Sequence, residues 1–435
     1  MSAPAPRPSE PRVRGRCPGV LRPMRTGDGL LARIRLSAGV LPGPMARAIA
    51  ECALRFGNGA IDLSSRANLH IRGVASSTLA PLTQRLGELG ILDADPEAEA
   101  VRNVLASPMA GWDEDAVLDI RPFVHALERR LTGDPLLRAL PPKFSFCVDD
   151  GGAFALSERI GDIRLRAVRT SRGARYALAL GGTEQSAEHI GYCRPEEADG
   201  AAIGLARRFI ELRGSAPDGP RRMAALLARE GSAALLESVV IERDVEPEVR
   251  APRAAPLGFH RLGRTGFIGL AAPFGRWSAH DLMRLSELAD RLGAGELRLT
   301  HWRAILLPGV APGAAAELSR ACADWSLDPH DPRLALAACP GAPACSSATT
   351  PTRRDALALA SRAARANNGA VALHISGCAK GCAHPSRAPV TLVGREGLYD
   401  LVLEGRAGDP PIRRGLSLQE ASAILEAMNL GERHA

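Results

Sequence analysis

The sequence lacks several features that would place the protein in a membrane, outside the cell or among dinucleotide-binding proteins. No run of roughly 18 apolar residues occurs, so we expect no transmembrane helix and no membrane partner. The first eight residues, rich in proline, contain no apolar signal segment, so we expect a cytoplasmic protein. No glycine-rich dinucleotide fingerprint follows a predicted strand, so we do not expect the chain to bind NADH itself.

The chain also lacks a cysteine count that suits a disulfide framework. Nine cysteines are present, an odd number, and four of them stand in two close pairs. This pattern favours a reducing compartment and a metal site over disulfide bonds. The other five are expected to be buried small side chains: Cys17, Cys52, Cys147, Cys193 and Cys322.

The two cysteine pairs are the most specific feature of the sequence. Cys339 and Cys345 form a C-x5-C pair, and Cys378 and Cys382 form a C-x3-C pair among glycines and prolines. Four thiolates can hold an iron–sulfur cluster or a structural zinc ion. Zinc sites favour two short pairs, often C-x2-C, so this spacing fits a cluster better.

The chain carries excess positive charge. The formal net charge is +7 and the isoelectric point is about 9.2. This charge indicates an acidic partner, and from composition alone either nucleic acid or a small polycarboxylate would fit.

The first ordered region is predicted to contain a strand, a helix and a second strand. Residues 29–36 form the first strand, and apolar residues from Met45 to Phe56 recur with helical spacing. From residue 61 to 72 apolar and polar residues alternate, which predicts one strand with a polar face. That face is either solvated or a binding surface, and it carries Asp62, Ser64, Arg66, Asn68, His70 and Arg72.

The region is repeated later in the chain. An offset of 236 residues carries Gly57 onto Gly293 and Leu63 onto Leu299. The upstream strands match when one residue is inserted, which sets Gly29 against Gly266. Shared glycines and element order indicate an internal duplication. Because Arg66, Asn68 and His70 are matched by Trp302, Ala304 and Leu306, we expect only the first copy to line a site.

The remaining segments have mixed α/β character. Helices are predicted over 203–212 and 223–236, a proline-rich linker over 246–256, a helix over 354–367 and a strand over 371–375. We expect residues 1–16 to be disordered.

Together these features resemble the nitrite and sulfite reductase superfamily, and within it the precorrin-3B synthase branch. The resemblance extends from Cys17 to about residue 430 and implies an α+β fold. In that fold, duplicated ferredoxin-like half-domains alternate with two α/β nitrite/sulfite reductase-type domains. The implied half-domains are residues 17–80 and 257–325, and the implied α/β domains are 81–245 and 330–430, the latter binding a [4Fe–4S] cluster.

The resemblance also marks candidate site residues. Ser64–Asn68 matches a family strand that carries a functional arginine and asparagine, which implies roles for Arg66 and Asn68. Arg102 stands in the family's Arg-Asn-Val segment. Lys143 keeps the first lysine of a family pair, whereas Ser145 replaces the second. Loss of that cation favours the synthase branch over a reductase of sulfite or nitrite.

The synthase branch implies a specific reaction. Such an enzyme hydroxylates precorrin-3A at C20 and closes a γ-lactone, using O2 and NADH-derived electrons from a separate reductase. Expected cofactors are a [4Fe–4S] cluster on the four paired cysteines and either a sirohaem-like haem or a mononuclear iron. Cys382 would bridge to a haem iron. The expected partners are the acidic tetrapyrrole and the donor reductase, with no nucleic acid.

Two other functions are weighed against this one, a sirohaem-dependent sulfite or nitrite reductase and a non-catalytic iron–sulfur electron carrier. The sequence leaves open the roles of His70, His374 and His384.

Overall fold

The computed structural model describes residues 18–216, 218–237, 239–243, 245–248, 257–362 and 371–428. Cys17, the predicted disorder of residues 1–16, most of the predicted linker and the end of the helix predicted over 354–367 lie outside these residues. Within the described residues we find no helix with the length and apolar character needed to span a membrane.

The elements follow one another in four groups. The first group contains β1 (Met24–Thr26), β2 (Gly29–Ile34), β3 (Val40–Pro42), α1 (Gly43–Phe56), β4 (Ala60–Leu63), β5 (Leu69–Val74) and α2 (Leu79–Glu88). The second contains α3 (Pro96–Val101), β6 (Val104–Ala106), α4 (Arg121–Gly133), β7 (Phe146–Asp149), β8 (Gly161–Thr170), β9 (Gly173–Gly182), β10 (Glu188–Cys193), α5 (Ala198–Arg213), α6 (Met223–Glu230) and α7 (Ala233–Leu236).

The third and fourth groups repeat this alternation. The third contains β11 (Gly258–Leu262), β12 (Thr265–Ala271), β13 (Arg276–Ser278), α8 (Ala279–Leu292), β14 (Glu296–Leu299), β15 (Ala304–Val310) and α9 (Ala315–Ala321). The fourth contains β16 (Leu336–Ala338), α10 (Thr352–Ala358), β17 (Leu373–Ser376), β18 (Ala388–Arg395), β19 (Leu398–Gly405), β20 (Arg413–Leu416) and α11 (Leu418–Ala427).

The first and third groups, the two half-domains, exchange strands. One five-stranded sheet has the order β1-β2-β5-β4-β13, and the other has the order β11-β12-β15-β14-β3. Each half-domain therefore completes the sheet of the other. Both sheets contribute to one apolar core, in which Trp277 of the exchanged strand β13 is only 1% exposed. Because strands and core are shared, neither half-domain can form its complete sheet alone.

The duplication is visible in backbone geometry as well as in sequence. Ala32 pairs with Ile71 and Ile268 pairs with Leu307, so both strand pairs keep the offset of 236 residues. The one-residue insertion inferred from the letters is therefore wrong. A bulge accompanies each pairing just before these residues, and it allows the glycines to differ in position while the register stays the same.

The single strand predicted over residues 61–72 is instead a hairpin. Strands β4 and β5 pair antiparallel, with Asp62 opposite His70, and residues 64–68 form the turn between them. The Ser64 amide donates to the Asn68 carbonyl at 2.9 Å, and Ala67 adopts a positive φ of 55°. Arg66 and Asn68 consequently lie in the turn, away from the paired polar residues of the strands. Alternation of polar and apolar residues continued through the turn and concealed it.

The second and fourth groups also share a strand pattern. In one sheet β6, β7 and β8 run parallel and β9 and β10 complete it antiparallel. In the other sheet β16, β17 and β18 run parallel and β19 and β20 complete it antiparallel. The helix predicted over 223–236 is two helices, because Gly231 adopts a φ of 72° and ends the first.

One carboxylate joins three parts of the chain. Asp62 on β4 accepts hydrogen bonds from Arg276 on β13 at 2.6 Å and from Arg353 on α10 at 2.7 Å. It also accepts from Arg72 on β5 at 3.3 Å. Burial alone would raise the pKa of Asp62, but Arg353 and Arg276 hold it well below its usual range. The two half-domains and the cysteine-bearing region therefore meet at a single ionised side chain.

We expect Asp62→Asn to destabilise the protein by about 3 kcal/mol or more, because removal of one partner leaves buried arginines without compensation. The measurement is the denaturant midpoint of the first unfolding transition. Glu88→Gln is the control, since Glu88 pairs with Arg85 at the surface, where both side chains are about half exposed. That variant should lose less than about 1 kcal/mol. Equal midpoints for the two variants would show that the junction at Asp62 contributes no more than a surface pair.

Candidate metal centre and cationic recess

The two cysteine pairs follow adjacent parallel strands. Ala338, the last residue of β16, pairs with Ile375 of β17, so both loops leave the same edge of the sheet. Cys339 is 8% exposed, and its Sγ accepts a hydrogen bond from the Gly377 amide at 3.2 Å. The topology thus brings together two sequence motifs that are separated along the chain.

Glycine is required where these loops pack closely. A Cβ on Gly341, which has a φ of 68°, would lie 2.5 Å from Thr352 Oγ1. A Cβ on Gly377 would lie 2.4 Å from Ala348 Cβ. Thr352 Oγ1 also donates to the Cys339 carbonyl at 2.6 Å, which fixes the start of the first loop to α10. The glycines of the motif therefore allow the loops to approach each other.

The four thiols converge without forming a single-ion site. Burial raises the pKa of Cys382, and the nearby Cys378, Cys339 and Cys345 raise it further, whereas Lys380 lowers it. No three His, Cys, Asp or Glu side chains among the described residues lie close enough together to ligate one metal ion. The thiols are thus spaced more widely than the ligands of one zinc ion. Each thiolate of a [4Fe–4S] cluster binds a separate iron, so the residues present fit that group.

The polar strand face binds the first cysteine loop. Arg72 is 2% exposed and donates to the Ala344 carbonyl at 2.9 Å. It also donates to both carboxylate oxygens of Asp28, at 2.9 and 2.7 Å. The Gly27 amide donates to the same Ala344 carbonyl at 3.2 Å. The strand positions that the sequence marked as a binding surface thus include one that holds the chain's own cysteine loop on the first half-domain.

His70 also has an internal partner. Arg33 Nε donates to His70 Nε2 at 2.9 Å. Burial lowers the pKa of His70 well below its ordinary value, and the charge of Arg33 lowers it further. The imidazole is therefore neutral and accepts a hydrogen bond from a neighbouring strand.

The predicted site residues Arg102 and Lys143 lie in different environments. Arg102 has a side chain only 12% exposed and pairs with Asp93 at 2.8 Å. Burial lowers its pKa, but the Asp93 carboxylate more than offsets this and the pKa is raised. Lys143 is exposed, in the turn that precedes β7. Ser145, which replaces the second family lysine, donates to Asp162 Oδ2 from its amide at 2.9 Å and from its hydroxyl at 3.3 Å.

The turn at residues 64–68 presents Arg66 and Asn68. Both backbone amides donate to Ser64 Oγ, at 3.3 and 3.1 Å, which fixes the turn. Both side chains are half-buried. Within the described part of the chain, the Arg66 guanidinium has no carboxylate partner. Arg66 can therefore still bind an anion.

Sequence reasoning missed four basic residues near the candidate site. Arg35 is 5% exposed, and its Nε and Nη1 have no hydrogen-bond partner in the described region. Burial and the charge of Arg33 lower its pKa to about 10. Arg159, His301 and Arg303 come from two distant segments and lie near Arg66. A signal for Arg303 was present, since it matches Ala67 under the offset of 236 residues, but only the alternating positions were compared.

Two histidines lie beside the second cysteine loop. The rings of His374 and His384 are 5.7 Å apart between centroids. His374 is fully buried, neither of its ring nitrogens has a partner among the described residues, and burial lowers its pKa to about 4. His384 Nε2 lies 3.0 Å from the Arg387 carbonyl. His374 is therefore a neutral imidazole with hydrogen-bonding capacity left over.

We expect Cys378→Ser to lose the iron–sulfur cluster, because a serine oxygen is a poor replacement for a soft thiolate ligand. Iron and acid-labile sulfide, measured per chain after anaerobic purification, should fall to near zero. Cys322→Ala is the control, since Cys322 is buried in the second half-domain and should leave both values unchanged. Full cluster content in the Cys378 variant would remove Cys378 from the ligand set.

Comparison with known proteins agrees with this architecture. The family model for the nitrite/sulfite reductase ferredoxin-like half domain matches residues 22–89 and 261–324. The model for the nitrite and sulphite reductase 4Fe-4S domain matches residues 97–193. That second match covers the sheet without the cysteine pairs, and the sheet that carries them has the same strand pattern. The predicted fold class is confirmed.

Individual relatives are similar over most of the chain. A precorrin-3B synthase from Sinorhizobium sp is 35% identical over 406 residues, which is 92% of this chain and 84% of the relative. A ferredoxin–nitrite reductase from Synechococcus elongatus is 29% identical over 89% of this chain and 82% of its own. The solved structure of Mycobacterium tuberculosis NirA has a TM-score of 0.70 at 20% identity, covering 91% of this chain and 79% of that one, and it shows the shared fold. The chain belongs to the precorrin-3B synthase family of the nitrite and sulfite reductase superfamily.

Proposed function

We propose that the protein catalyses the precorrin-3B synthase reaction of aerobic cobalamin biosynthesis. Precorrin-3A is hydroxylated at C20, and a γ-lactone closes from the ring A acetate. One atom of O2 enters the product and the other leaves as water, which requires two electrons and two protons. The electrons come from NADH through a separate reductase. The observation that carries the proposal is the docking of the cysteine loop, through Arg72, on the half-domain whose turn presents Arg66.

The four cysteines are the residues that would hold the cluster. When bound, a [4Fe–4S] cluster supplies electrons one at a time. Lys380 lies between two of the ligands and offsets their negative charge, since its charge lowers the pKa of Cys382. Arg72 and Thr352 fix the first loop at both ends, through Ala344 and Cys339. The protein thereby holds its thiolates in place before any ligand binds.

Cys382 is the thiol best placed to meet a second group. It is exposed, whereas Cys339 is buried and the other two are intermediate. A sirohaem-like haem bridged by Cys382, or a mononuclear iron near it, would fit this exposure. Either group would sit where the second cysteine loop opens to its surroundings.

The turn at Arg66 and Asn68 would bind the macrocycle. Early corrinoid precursors carry many acetate and propionate carboxylates, and a guanidinium pairs with a carboxylate through two parallel hydrogen bonds. Asn68 adds a side-chain amide that can donate to a neighbouring carboxylate. The net charge of +7 favours association with so acidic a ligand.

A sirohaem-dependent nitrite or sulfite reductase is the second candidate, because a nitrite reductase is 29% identical over most of the chain. Such a reaction needs cations and proton donors around a small anion. Ser145 supplies neither, since it has no charge and its hydroxyl is hydrogen-bonded to Asp162. Arg102 is paired with Asp93. These contacts favour the tetrapyrrole reaction.

The decisive experiment uses anaerobically purified protein with quantified iron and sulfide. Incubation with precorrin-3A, a chemical or enzymatic electron donor and 18O2 should give a product one labelled oxygen atom heavier. A parallel assay replaces precorrin-3A with nitrite or sulfite. Unchanged tetrapyrrole together with reduction of either anion would overturn the proposal and establish the second candidate.

We expect Arg66→Ala to keep the cluster but to bind the tetrapyrrole roughly tenfold to a hundredfold more weakly, the usual loss for a charged hydrogen-bonding group. Titration of the macrocycle with cluster content as an internal check measures both quantities. Arg85→Ala is the control, because Arg85 is half exposed and pairs with Glu88 at the surface. Normal turnover and affinity in the Arg66 variant would exclude this turn from the binding site.

A further inference from the structure

A basic cluster lies beside Arg66 and is built from two distant segments. Arg159 lies in the loop between β7 and β8, and His301 and Arg303 lie in the turn between β14 and β15. Burial lowers the pKa of Arg159, and the charge of Arg66 lowers it further. Burial and then Arg159 lower the pKa of His301. The charges are thus close enough to repel one another, and Arg159 lies among the others.

The turn that carries Arg303 is the counterpart of the turn that carries Arg66. The Ser64 amide donates to the Asn68 carbonyl at 2.9 Å, and the Thr300 amide donates to the Ala304 carbonyl at 3.1 Å. Ala67 has a φ of 55° and Arg303, at the equivalent position, has a φ of 64°. A long side chain in the left-handed region is uncommon and costs free energy. The second half-domain therefore places a cation at a strained position facing the same region.

These cations are not neutralised by the chain. The Arg66, Arg159 and Arg303 side chains form no ion pair with a carboxylate among the residues that the structure describes. Asp62 lowers their repulsion only through its effect on Arg303, and it is already bonded to Arg72, Arg276 and Arg353. Burial without compensation is costly for charged groups. The cluster therefore requires an anion from outside the chain.

His301 adds a neutral hydrogen-bonding group. It is 6% exposed, and its Nδ1 has no partner among the described residues. Burial lowers its pKa to about 3, so the ring is uncharged at neutral pH. An uncharged imidazole can donate one hydrogen bond to an anion without adding to the repulsion.

We propose that Arg159, His301 and Arg303 form a carboxylate-binding subsite that acts with Arg66, so that the macrocycle is held by turns from both half-domains. This inference rests on the proposed function, since it identifies the ligand of the same site as a polycarboxylate. Two guanidinium groups and a neutral imidazole suit a planar carboxylate, which accepts paired hydrogen bonds. Several such groups spread over two turns suit a ligand with carboxylates around its rim better than one small inorganic anion.

The test measures binding of stable porphyrins to the anaerobically purified holoprotein. Uroporphyrin I carries eight carboxylates and coproporphyrin I four, and both can be followed by fluorescence quenching, with sulfite as a competitor. Arg159→Gln and Arg303→Gln should each weaken uroporphyrin binding about tenfold or more and reduce its dependence on salt. Arg291→Gln is the control, since Arg291 is 62% exposed on α8 and should bind like the unaltered protein.

The outcomes separate this inference from the proposed function. If the unaltered protein binds no carboxylated porphyrin, or sulfite displaces it fully, both fail. If Arg66→Ala weakens binding while the Arg159 and Arg303 variants do not, only the subsite is overturned. Should Arg303→Gln lose cluster absorbance, Arg303→Asn replaces it, because asparagine tolerates the left-handed backbone. Its unchanged affinity would equally contradict the subsite.

Discussion

The ionised carboxylate of Asp62 is the constraint on which the arrangement of the domains depends. It bonds to arginines of the first half-domain, of the exchanged strand and of the helix that follows the first cysteine pair. Because Arg72 also holds the Ala344 carbonyl, the same network fixes the cysteine loop against the first sheet. A buried carboxylate surrounded by guanidinium groups cannot lose one partner without leaving uncompensated charge. The metal centre and the strand exchange are therefore coupled through one side chain.

The two duplications in the chain are used asymmetrically. Both α/β regions place loops at the ends of parallel strands, but only the second region carries the cysteine pairs there. Both half-domains make the same turn, yet the first presents an arginine at residue 66 and the second presents one at residue 303. Pseudo-symmetry thus supplies matched positions around one region, and substitution assigns electron storage to some and ligand binding to others. The sequence comparison had given the second half-domain a structural role only, because it examined three matched positions and passed over the fourth.

Much of the fold could be predicted from the sequence, because the information is local or repeated. The helix at residues 43–56 follows from its apolar spacing, and the duplication from its constant offset. The cysteine motif could be recognised from spacing and its glycines. What could not be predicted depends on distant contacts. The alternation from residue 61 to 72 hid a hairpin whose pairing is set by the exchanged strand, and Arg72 could not be assigned to Ala344 without tertiary structure. Nor could Arg159 be joined to His301, since neither residue belongs to a motif.

The central claim is that the cluster and the cationic recess serve one ligand. The most direct measurement is the electron paramagnetic resonance spectrum of the reduced cluster, recorded with and without bound uroporphyrin I. A macrocycle held by Arg66 beside the cysteine loops should shift the g values of the unaltered protein and leave those of Arg66→Ala unshifted at the same porphyrin concentration. Identical spectra with and without saturating porphyrin would contradict the account, because they would show that the tetrapyrrole binds away from the metal centre.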